Sequence, residues 1–357
     1  MPITYRQAEK KDFENIISLL NKCFNKDFKA ILPKIYLDDE NAYNHHLLED
    51  DGKIVAVIAV FVNKQYGFSF VGNVAIDPDY QNRGLLQKLM DIADEFNKQN
   101  KVNFSFLTGS KHLYEKYGYY RVGASCGFRF IEESMKYLKP NIYNDIYFMT
   151  VEPSDSRALF DLYKGSSKVI LRDEKNFQNV AFSYNGRLLK ICKNGAIIGY
   201  FIINQMGMVG ELVLEKNEYF ASVIHLLNQQ RGESIVMMNH DNPLYESAKR
   251  YSETLIHMSF LSAKIYDFNA FMKFVFLLDQ DYEKKDNSLA LNIDGKNYSF
   301  TITNNSINVC ETLQESSIKM SMKEFATLFT PEGLENTNLQ IRSLFPIFFD
   351  IPTSDHY

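Results

Sequence analysis

The sequence lacks the clusters of cysteine and histidine that would mark a metalloprotein or a disulfide-rich protein. Its four cysteines are widely separated and include no C-x-x-C pair: Cys23, Cys126, Cys192 and Cys310. This spacing argues against a zinc site and a disulfide framework, so we expect reduced thiols in the core. The adjacent residues His45 and His46 would point to opposite faces of a strand and have no accompanying ligands, so we expect no bound metal.

The sequence also lacks an excess of basic residues and a long apolar run. Lys and Arg together number 39 and Asp and Glu 44, which gives a formal net charge of -5. Binding to a phosphate backbone depends on basic residues, so nucleic acid is not an expected partner. The longest apolar run, Ile54 to Val62, is far shorter than the roughly 20 residues that span a bilayer as a helix. Because the N-terminus has no signal-peptide pattern, we expect a cytoplasmic protein without membrane association.

The composition is that of a globular protein with several domains. Of the 357 residues, 45% are hydrophobic and 23% charged, and a domain usually contains about 100–150 residues. The pattern breaks around Lys139-Pro140-Asn141, and a further unit begins near Phe260. We therefore predict domains over residues 1–140, 141–257 and 258–357. The expected fold class is α/β (α+β), with two mixed sheets, flanking helices and a C-terminal α/β domain.

The spacing of apolar residues predicts how the first unit is built. Apolar positions with a period of 3.6 indicate helices, and apolar runs bounded by turn residues indicate strands. Ser110 and Gly118 fit the N-cap and C′ positions of a short helix. These signals predict helices over 8–24, 85–96 and 111–117 and strands over 54–62, 68–76 and 102–107.

One segment, from Asn73 to Leu86, combines a strand, a proline, an Arg-Gly turn and the start of a helix. Backbone N–H groups at a helix N-terminus are unpaired, and the helix dipole favours negative charge there. The main chain from Arg83 to Leu86 is therefore suited to hold a pyrophosphate. The preceding strand can pair with an extended, amide-bearing molecule. Both features together predict a site for a phosphopantetheine compound.

This segment resembles the acetyl-CoA motif of the GNAT N-acetyltransferases. It matches V-x-x-x-P-x-[YHF]-[QR]-x-[RK]-G-[LIV]-[GLA] from Val74 to Leu86, although many family members have Gly or Ala at the position of Leu86. The resemblance implies that acetyl-CoA is the cosubstrate. The residues that it implies for coenzyme binding are Val74, Ala75, Ile76, Gln81, Asn82, Arg83, Gly84, Leu85 and Leu86.

A second match follows the next predicted strand. Leu113 to Tyr119 resembles the Y-x-x-x-G-[FY] segment of the same enzymes. The resemblance implies that Tyr114 is the general acid that returns a proton to the departing thiolate, and a phenol with a pKa of about 10 suits that step. Backbone N–H groups near Val74 to Ile76 would stabilise the negative charge on the thioester oxygen.

The second unit resembles a faint copy of the first. Asn194 to Gly199 echoes Asp51 to Ala56, and a strand and a helix follow in the same order, which suggests an internal repeat. Glu215-Lys216-Asn217-Glu218 replaces the Arg-Gly turn, so we expect no phosphate site in the copy. In the third unit, the spacing of Phe268 to Val275 predicts a helix, and Asp294-Gly295 predicts a hairpin turn.

The three units together resemble the enhanced intracellular survival (Eis) family, in which a GNAT domain, a degenerate GNAT-like domain and a sterol-carrier-protein-like domain follow one another. The resemblance implies that the chain's terminal carboxylate, here that of Tyr357, accepts the proton of the attacking amine. His356 is a competing base, because an imidazole with a pKa near 6.5 suits this task. Asp27 lies where the family has an acidic pocket residue. The family also implies a homo-oligomer, often a hexamer.

The implied function is direct transfer of an acetyl group from acetyl-CoA to a primary amine of a cationic small molecule, aminoglycoside-like or polyamine-like, with no covalent enzyme intermediate. Two alternatives stay open. In the first alternative, the acceptor is a lysine of a protein or peptide. In the second, the chain is a non-catalytic protein that binds acyl-CoA or an apolar ligand. Resemblance of fold does not choose among them, because function depends on the site.

Overall fold

The structure is a computed structural model. It describes residues 3–137, 145–167, 169–238, 242–278 and 285–335 together with 337, 340, 341, 345, 349, 351 and 355. The strands are β1 (Thr4–Gln7), β2 (His45–Asp50), β3 (Lys53–Asn63), β4 (Phe68–Ile76), β5 (Phe104–Thr108), β6 (Tyr120–Arg121), β7 (Ser125–Phe130), β8 (Ile146–Thr150), β9 (Arg187–Lys193), β10 (Ala196–Ile203), β11 (Val209–Leu214), β12 (Ser234–Met238), β13 (Thr254–Met258), β14 (Leu261–Ile265), β15 (Asn287–Ile293), β16 (Lys296–Thr303), β17 (Ser306–Glu311) and β18 (Lys319–Met320). The α-helices are α1 (Phe13–Phe24), α2 (Phe28–Ile31), α3 (Pro33–Tyr36), α4 (Leu85–Gln99), α5 (Lys111–Tyr114), α6 (Glu132–Met135), α7 (Ser156–Ser166), α8 (Phe177–Phe182), α9 (Phe220–Arg231), α10 (Tyr245–Tyr251), α11 (Phe268–Leu278), α12 (Met322–Thr327) and α13 (Pro331–Glu335). Short 3₁₀ turns cover Lys10–Asp12, Asp39–Asn44, Pro78–Tyr80, Glu115–Tyr117, Pro153–Asp155, Ser183–Asn185 and Asn217–Tyr219.

Two large mixed sheets have the same strand pattern and exchange one strand each. The first has the order β1-β2-β3-β4-β5-β14-β6, and the second β8-β9-β10-β11-β12-β7-β13. In each sheet, the position after the fifth strand is therefore filled by a strand from the other part of the chain. Main-chain hydrogen bonds across these pairings tie the two sheets together.

The sheets therefore do not follow the division of the chain at residues 140 and 257. Strand β7 precedes the first predicted boundary but belongs to the second sheet, whereas β14 follows the second boundary but lies in the first sheet. Neither strand was predicted from the sequence, and a local sequence pattern does not show which neighbours a strand pairs with. The three-domain division stays a prediction.

A third sheet, of order β17-β16-β15-β18, packs with α11. Aromatic rings from α11 join it to the first sheet, because the ring centroids of Phe271 and Phe274 lie 5.4 and 5.2 Å from that of Phe104. Rings in contact at such distances bury large apolar areas and add a specific geometric preference. The whole is a mixed α/β architecture, which confirms the predicted fold class, whereas the sterol-carrier-like character of the third unit stays a prediction.

The elements predicted from periodicity match the observed ones closely, with differences at their ends. The predicted helix over 8–24 begins as a 3₁₀ turn and becomes α1 at Phe13, and the helix over 111–117 ends in a second 3₁₀ turn. The expectation of core thiols is wrong for Cys310, which is exposed on β17, while Cys126 and Cys192 are buried. No helix in the described part of the chain has the length and hydropathy that crossing a bilayer requires.

Candidate active site

Strand β4 loses its neighbour on one side part-way along its length. Its parallel pairing with β5 ends where Val71 lies opposite Leu107. Just beyond, Asn73 adopts a positive φ of 50° and the register with β3 shifts, as in a β-bulge. In the described residues, Val74 to Ile76 have no β5 partner on that side. The separation leaves an edge of β4 available to an extended, amide-bearing molecule.

The loop after β4 enters α4 through two residues in the left-handed region. Asn82 has a φ of 61° and Gly84 a φ of 74°. No side chain caps the helix, and within the described part of the chain no acceptor faces the N–H groups of Leu85 and Leu86. A Cβ added at Gly84 would meet no heavy atom within 4 Å, so the space before the helix is open. Unpaired donors at the N-terminus of a 15-residue helix favour an anion.

A buried carboxylate fixes the start of this loop. The Asp77 carboxylate accepts hydrogen bonds from Lys22 Nζ at 2.9 Å and Lys53 Nζ at 3.0 Å, and from the Asp79 N–H at 3.2 Å. The hydrogen bond from Lys22 contributes most to lowering the pKa of Asp77 to about 2, and Lys53 adds to it. Asp77 therefore stays ionised and holds α1, β3 and the loop together.

The side chain of Arg83 is held beside the start of the helix. Its guanidinium lies 4.6 Å from the ring centroid of Tyr80, and it donates to the Asp79 carbonyl oxygen at 2.9 Å. The Tyr80 hydroxyl in turn donates to Asp50 Oδ2 at 2.9 Å. A stacked and hydrogen-bonded guanidinium is well placed to offer charge to a phosphate. Gln81 and Asn82, which the resemblance also implies for coenzyme binding, are exposed on the same loop.

Tyr114 packs on a glycine at the end of β5. A Cβ built on Gly109 would lie 2.8 Å from Cε2 of Tyr114, so the ring lies directly against the glycine backbone. Gly109 has a φ of 149°, and Arg121 donates to its carbonyl oxygen at 2.9 Å. Burial raises the pKa of Tyr114 above its ordinary value. The phenol therefore remains protonated at neutral pH, as a proton donor must.

A cavity of about 480 Å³ begins at the same end of β5, where Thr108 contributes to its lining. It extends between the two large sheets, and five of its lining residues are methionines: Met206, Met208, Met237, Met238 and Met258. Its charged lining residues within the described part of the chain are Glu211 and Asp355. Thr108 is the chain neighbour of Gly109, so this end of the cavity lies close to Tyr114.

A buried arginine joins the two carboxylates of the cavity. Arg172 donates to both oxygens of Glu211 at 2.9 and 2.5 Å and to both oxygens of Asp355 at 2.7 Å. The hydroxyl of Tyr200 also donates to Glu211, at 2.5 Å. Burial lowers the pKa of the nearby Lys34 ammonium to about 7, while the charge of Asp355 acts in the opposite direction. Sequence reasoning missed this cluster because its members are far apart in the chain.

The other residues predicted for the site are Asp27, Tyr357 and His356. Asp27 is exposed and caps α2, since its Oδ1 accepts from the N–H groups of Lys29 and Ala30 at 3.0 and 3.3 Å. It is not a lining residue of the cavity, and its role in amine binding stays a prediction. Tyr357 and His356 lie outside the described residues.

The adjacent histidines have structural roles. His45 Nε2 lies 3.1 Å from the Tyr36 hydroxyl, and His46 Nδ1 lies 3.0 Å from the Tyr5 hydroxyl. Burial lowers the pKa of both imidazoles to about 4, so both are neutral at pH 7. Both rings also pack on aromatic neighbours, His45 on Tyr36 and His46 on Phe96.

The site geometry agrees with a match of the sequence to a family model. Residues 4–122 match the model described as "Acetyltransferase (GNAT) domain". This part of the chain is a GNAT acetyltransferase domain. It contains the β4–β5 separation, the loop before α4 and Tyr114, and it makes the chain an enzyme of the acyltransferase class. No curated protein matches the sequence.

Solved structures share the fold over nearly the whole chain. The GCN5-related N-acetyltransferases of Kribbella flavida and Anabaena variabilis ATCC 29413 have TM-scores of 0.67, at 12% and 16% identity. The alignments cover 98% of this chain and 97% and 98% of those chains, respectively. Eis1 from Mycobacterium abscessus has a TM-score of 0.62 at 12% identity, with 98% of each chain covered. The GNAT domain therefore belongs to a larger fold that these proteins also have.

Proposed function

We propose that the chain is an acetyl-CoA-dependent N-acetyltransferase that acts on the primary amine of a small cationic molecule, as the Eis family does. The observation that carries the proposal is the separation of β4 from β5 beyond Val71, between the open start of α4 and the half-buried Tyr114. Val74 to Ile76 would pair with the pantetheine amides, and the N–H groups from Arg83 to Leu86 would bind the pyrophosphate. Acetyl-CoA supplies the activated acetyl group.

The residues of the chain then transfer protons and stabilise the negative charge that develops during the reaction. The carbon–sulfur bond breaks as the carbon–nitrogen bond forms, so the amine loses one proton and the sulfur gains one. Tyr114 donates the proton to the sulfur, since partial burial raises the pKa of its phenol and keeps it protonated at neutral pH. Backbone N–H groups near Val74 to Ile76 face the oxygen on which negative charge grows. No covalent bond to the enzyme is required.

The proposed base is the terminal carboxylate of Tyr357, with His356 as its competitor. Support comes from the segment just before it: Phe349 accepts a hydrogen bond from the N–H of Ala124 at 2.9 Å, and Asp355 lines the cavity. We also propose a cytoplasmic homo-oligomer, with the hexamer that the Eis resemblance implies.

The test is thiol release from acetyl-CoA with aminoglycosides, polyamines, lysine peptides and simple alkylamines, alongside calorimetry of CoA binding. We expect CoA to bind and at least one class of small amine to be acetylated. Acetylation of lysine peptides alone would instead favour a protein substrate. CoA binding with no turnover of any amine would contradict the proposal.

The base is tested by deleting Tyr357. This deletion should lower turnover sharply and leave CoA affinity unchanged, because the coenzyme site that we propose lies in residues 74–86. His356→Gln in the full-length chain is the matched control and should retain turnover if the carboxylate is the base. Wild-type turnover in the truncated chain would refute the role of the terminal carboxylate.

A further inference from the structure

We propose that the methionine-lined cavity binds the acceptor, and that the acceptor is a primary amine with one ammonium group and an apolar body. This inference rests on the proposed function, because it treats the ligand of the cavity as the acceptor of the acetyl group. It narrows the substrate class, because it disfavours polycationic compounds such as aminoglycosides and polyamines. The position of the cavity, its charge and the character of its walls support this inference.

The position of the cavity links it to the reacting atoms. Thr108, at the end of β5, lines it, and the following residue is the glycine on which the ring of Tyr114 packs. Ser125, which pairs with Met258 in the second sheet, lies in the same wall. The cavity thus begins beside Gly109 and extends along the second sheet, which supplies most of the strands that line it. A molecule within it can present one end to the thioester.

The charge of the cavity suits a single cation. Glu211 and Asp355 both line it and carry two formal negative charges, and Arg172, which bridges them, carries one positive charge. The three groups leave an excess of one negative charge when the nearby Lys34, whose pKa burial lowers to about 7, is neutral. Among the described residues, no Lys, Arg or His lines the cavity. A single ammonium group is therefore attracted, whereas several would lack partners and lose their hydration.

Most of the wall is apolar and adaptable. The five methionines join Phe260 and Ile351 among others, and 480 Å³ is within the range of sites that hold small organic molecules. Methionine side chains are flexible and polarisable and adjust to apolar ligands of different shape. Hydroxyl and amide side chains such as Ser125, Asn204 and Asn242 also line the cavity, but a sugar amine or a polyamine would place many of its polar groups against the methionine surfaces, at a cost in binding free energy.

The first test is calorimetric titration of the protein, without CoA, with linear primary amines from butylamine to octylamine. Each added methylene should tighten binding about fourfold, which corresponds to about 0.8 kcal/mol per buried methylene. N-acetyloctylamine has the same chain without the charge, so it should bind at least about tenfold more weakly. Spermidine and an aminoglycoside should bind more weakly than octylamine.

A matched pair of variants tests whether the cavity is the site. Gly210 lines it, and a Cβ added there would meet its nearest heavy atoms, in Asn204 and the Ile202 carbonyl, only at 3.8 Å. Gly210→Phe should therefore enter the cavity and weaken octylamine binding at least about tenfold, while Gly210→Ala should bind nearly as well as the wild type. Both should keep their affinity for CoA. The chain-length series in the wild type decides the matter if Gly210→Phe does not fold.

The outcomes separate this inference from the proposed function. Chain-length-dependent binding that Gly210→Phe abolishes supports the inference, even if acetyl-CoA brings no turnover and the proposed function fails. Turnover of aminoglycosides or polyamines, with no binding of alkylamines, overturns the inference and leaves the proposed function intact. The inference is also overturned if the affinity is the same for all amines from butylamine to octylamine. The same holds if a folded Gly210→Phe protein binds octylamine as tightly as the wild type does.

Discussion

Replacing Gly109 by Ala should displace the ring of Tyr114 without touching the coenzyme site. The new Cβ would lie 2.8 Å from Cε2 and 3.4 Å from Cδ2 of the ring, where ordinary contact begins at about 3.4 Å. The ring must therefore move by roughly half an ångström, since the backbone of Gly109 is also held by a hydrogen bond from Arg121. The hydroxyl, at the far end of the ring, moves with it.

Gly109→Ala should have two separate effects, one on turnover and one on stability. A misplacement of about 1 Å can lower a rate by about 100-fold, so we expect turnover to fall between about tenfold and 100-fold. A non-glycine residue at a φ of 149° also strains the backbone, by on the order of 1–3 kcal/mol. The strain lowers stability, whereas the ring displacement lowers turnover.

Thiol-release kinetics and thermal unfolding measure the two effects separately. Gly52→Ala is the control, because Gly52 also has a positive φ, of 76°, but an added Cβ there meets nothing within 4 Å. Both variants should unfold at lower temperature, and only Gly109→Ala should lose turnover. In a Tyr114→Phe background, Gly109→Ala should have little further effect on turnover. A folded Gly109→Ala protein with wild-type turnover would refute the reasoning.

Three further substitutions test the site and its supports. Tyr114→Phe should lower turnover about 100-fold or more at unchanged CoA affinity, because a positioned acid contributes about 10²–10⁴-fold. Tyr117 lies in the same apolar cluster, and Tyr117→Phe should change neither turnover nor CoA affinity. Equal turnover in the two variants would show that Tyr114 is not the acid. Asp77→Asn should lower the free energy of unfolding at pH 7 by on the order of 2 kcal/mol in urea titrations. Since the folded pKa of about 2 lies below the ordinary 3.8, this difference is present above about pH 4 and should disappear as the pH falls towards 2; a pH-independent difference would contradict the assignment. Arg172→Met should destabilise the protein by about 3–5 kcal/mol, because it leaves two buried carboxylates without their counter-charge, whereas the exposed Arg129→Met should change stability by less than about 1 kcal/mol in the same thermal scans.

The local structure of the proposed coenzyme site was predictable because its signals are local. Gly84 comes directly before α4, and the left-handed conformation of this residue is one that glycine adopts without strain. The short helix that carries Tyr114 ends before Gly118, which is also left-handed. Each of these features depends on a few consecutive residues. Periodicity and turn chemistry therefore predict them.

Other parts of the site depend on residues that are distant in the chain. Asp77 precedes a proline and caps the following turn, a local signal that was available, but its ion pairs with Lys22 and Lys53 come from two other elements. The partners Arg172 and Asp355 are 183 residues apart. No periodicity relates such residues, because they meet only after the sheets and the C-terminal segment have packed.

The sequence by itself determined α1, α4 and the short helix of Tyr114, the strands β3, β4 and β5 and the loop before α4, since these follow from side-chain spacing and backbone preference over short segments. The acid that we propose was identified by the resemblance to the GNAT motif. Only the tertiary structure decided the exchange of β7 and β14 and the cavity between the sheets. Strands pair through main-chain hydrogen bonds that nearly every residue can form, so the sequence of a strand does not identify the strand with which it pairs. The walls of the cavity come from strands, helices and loops of both sheets, and its chemistry exists only once they have packed together.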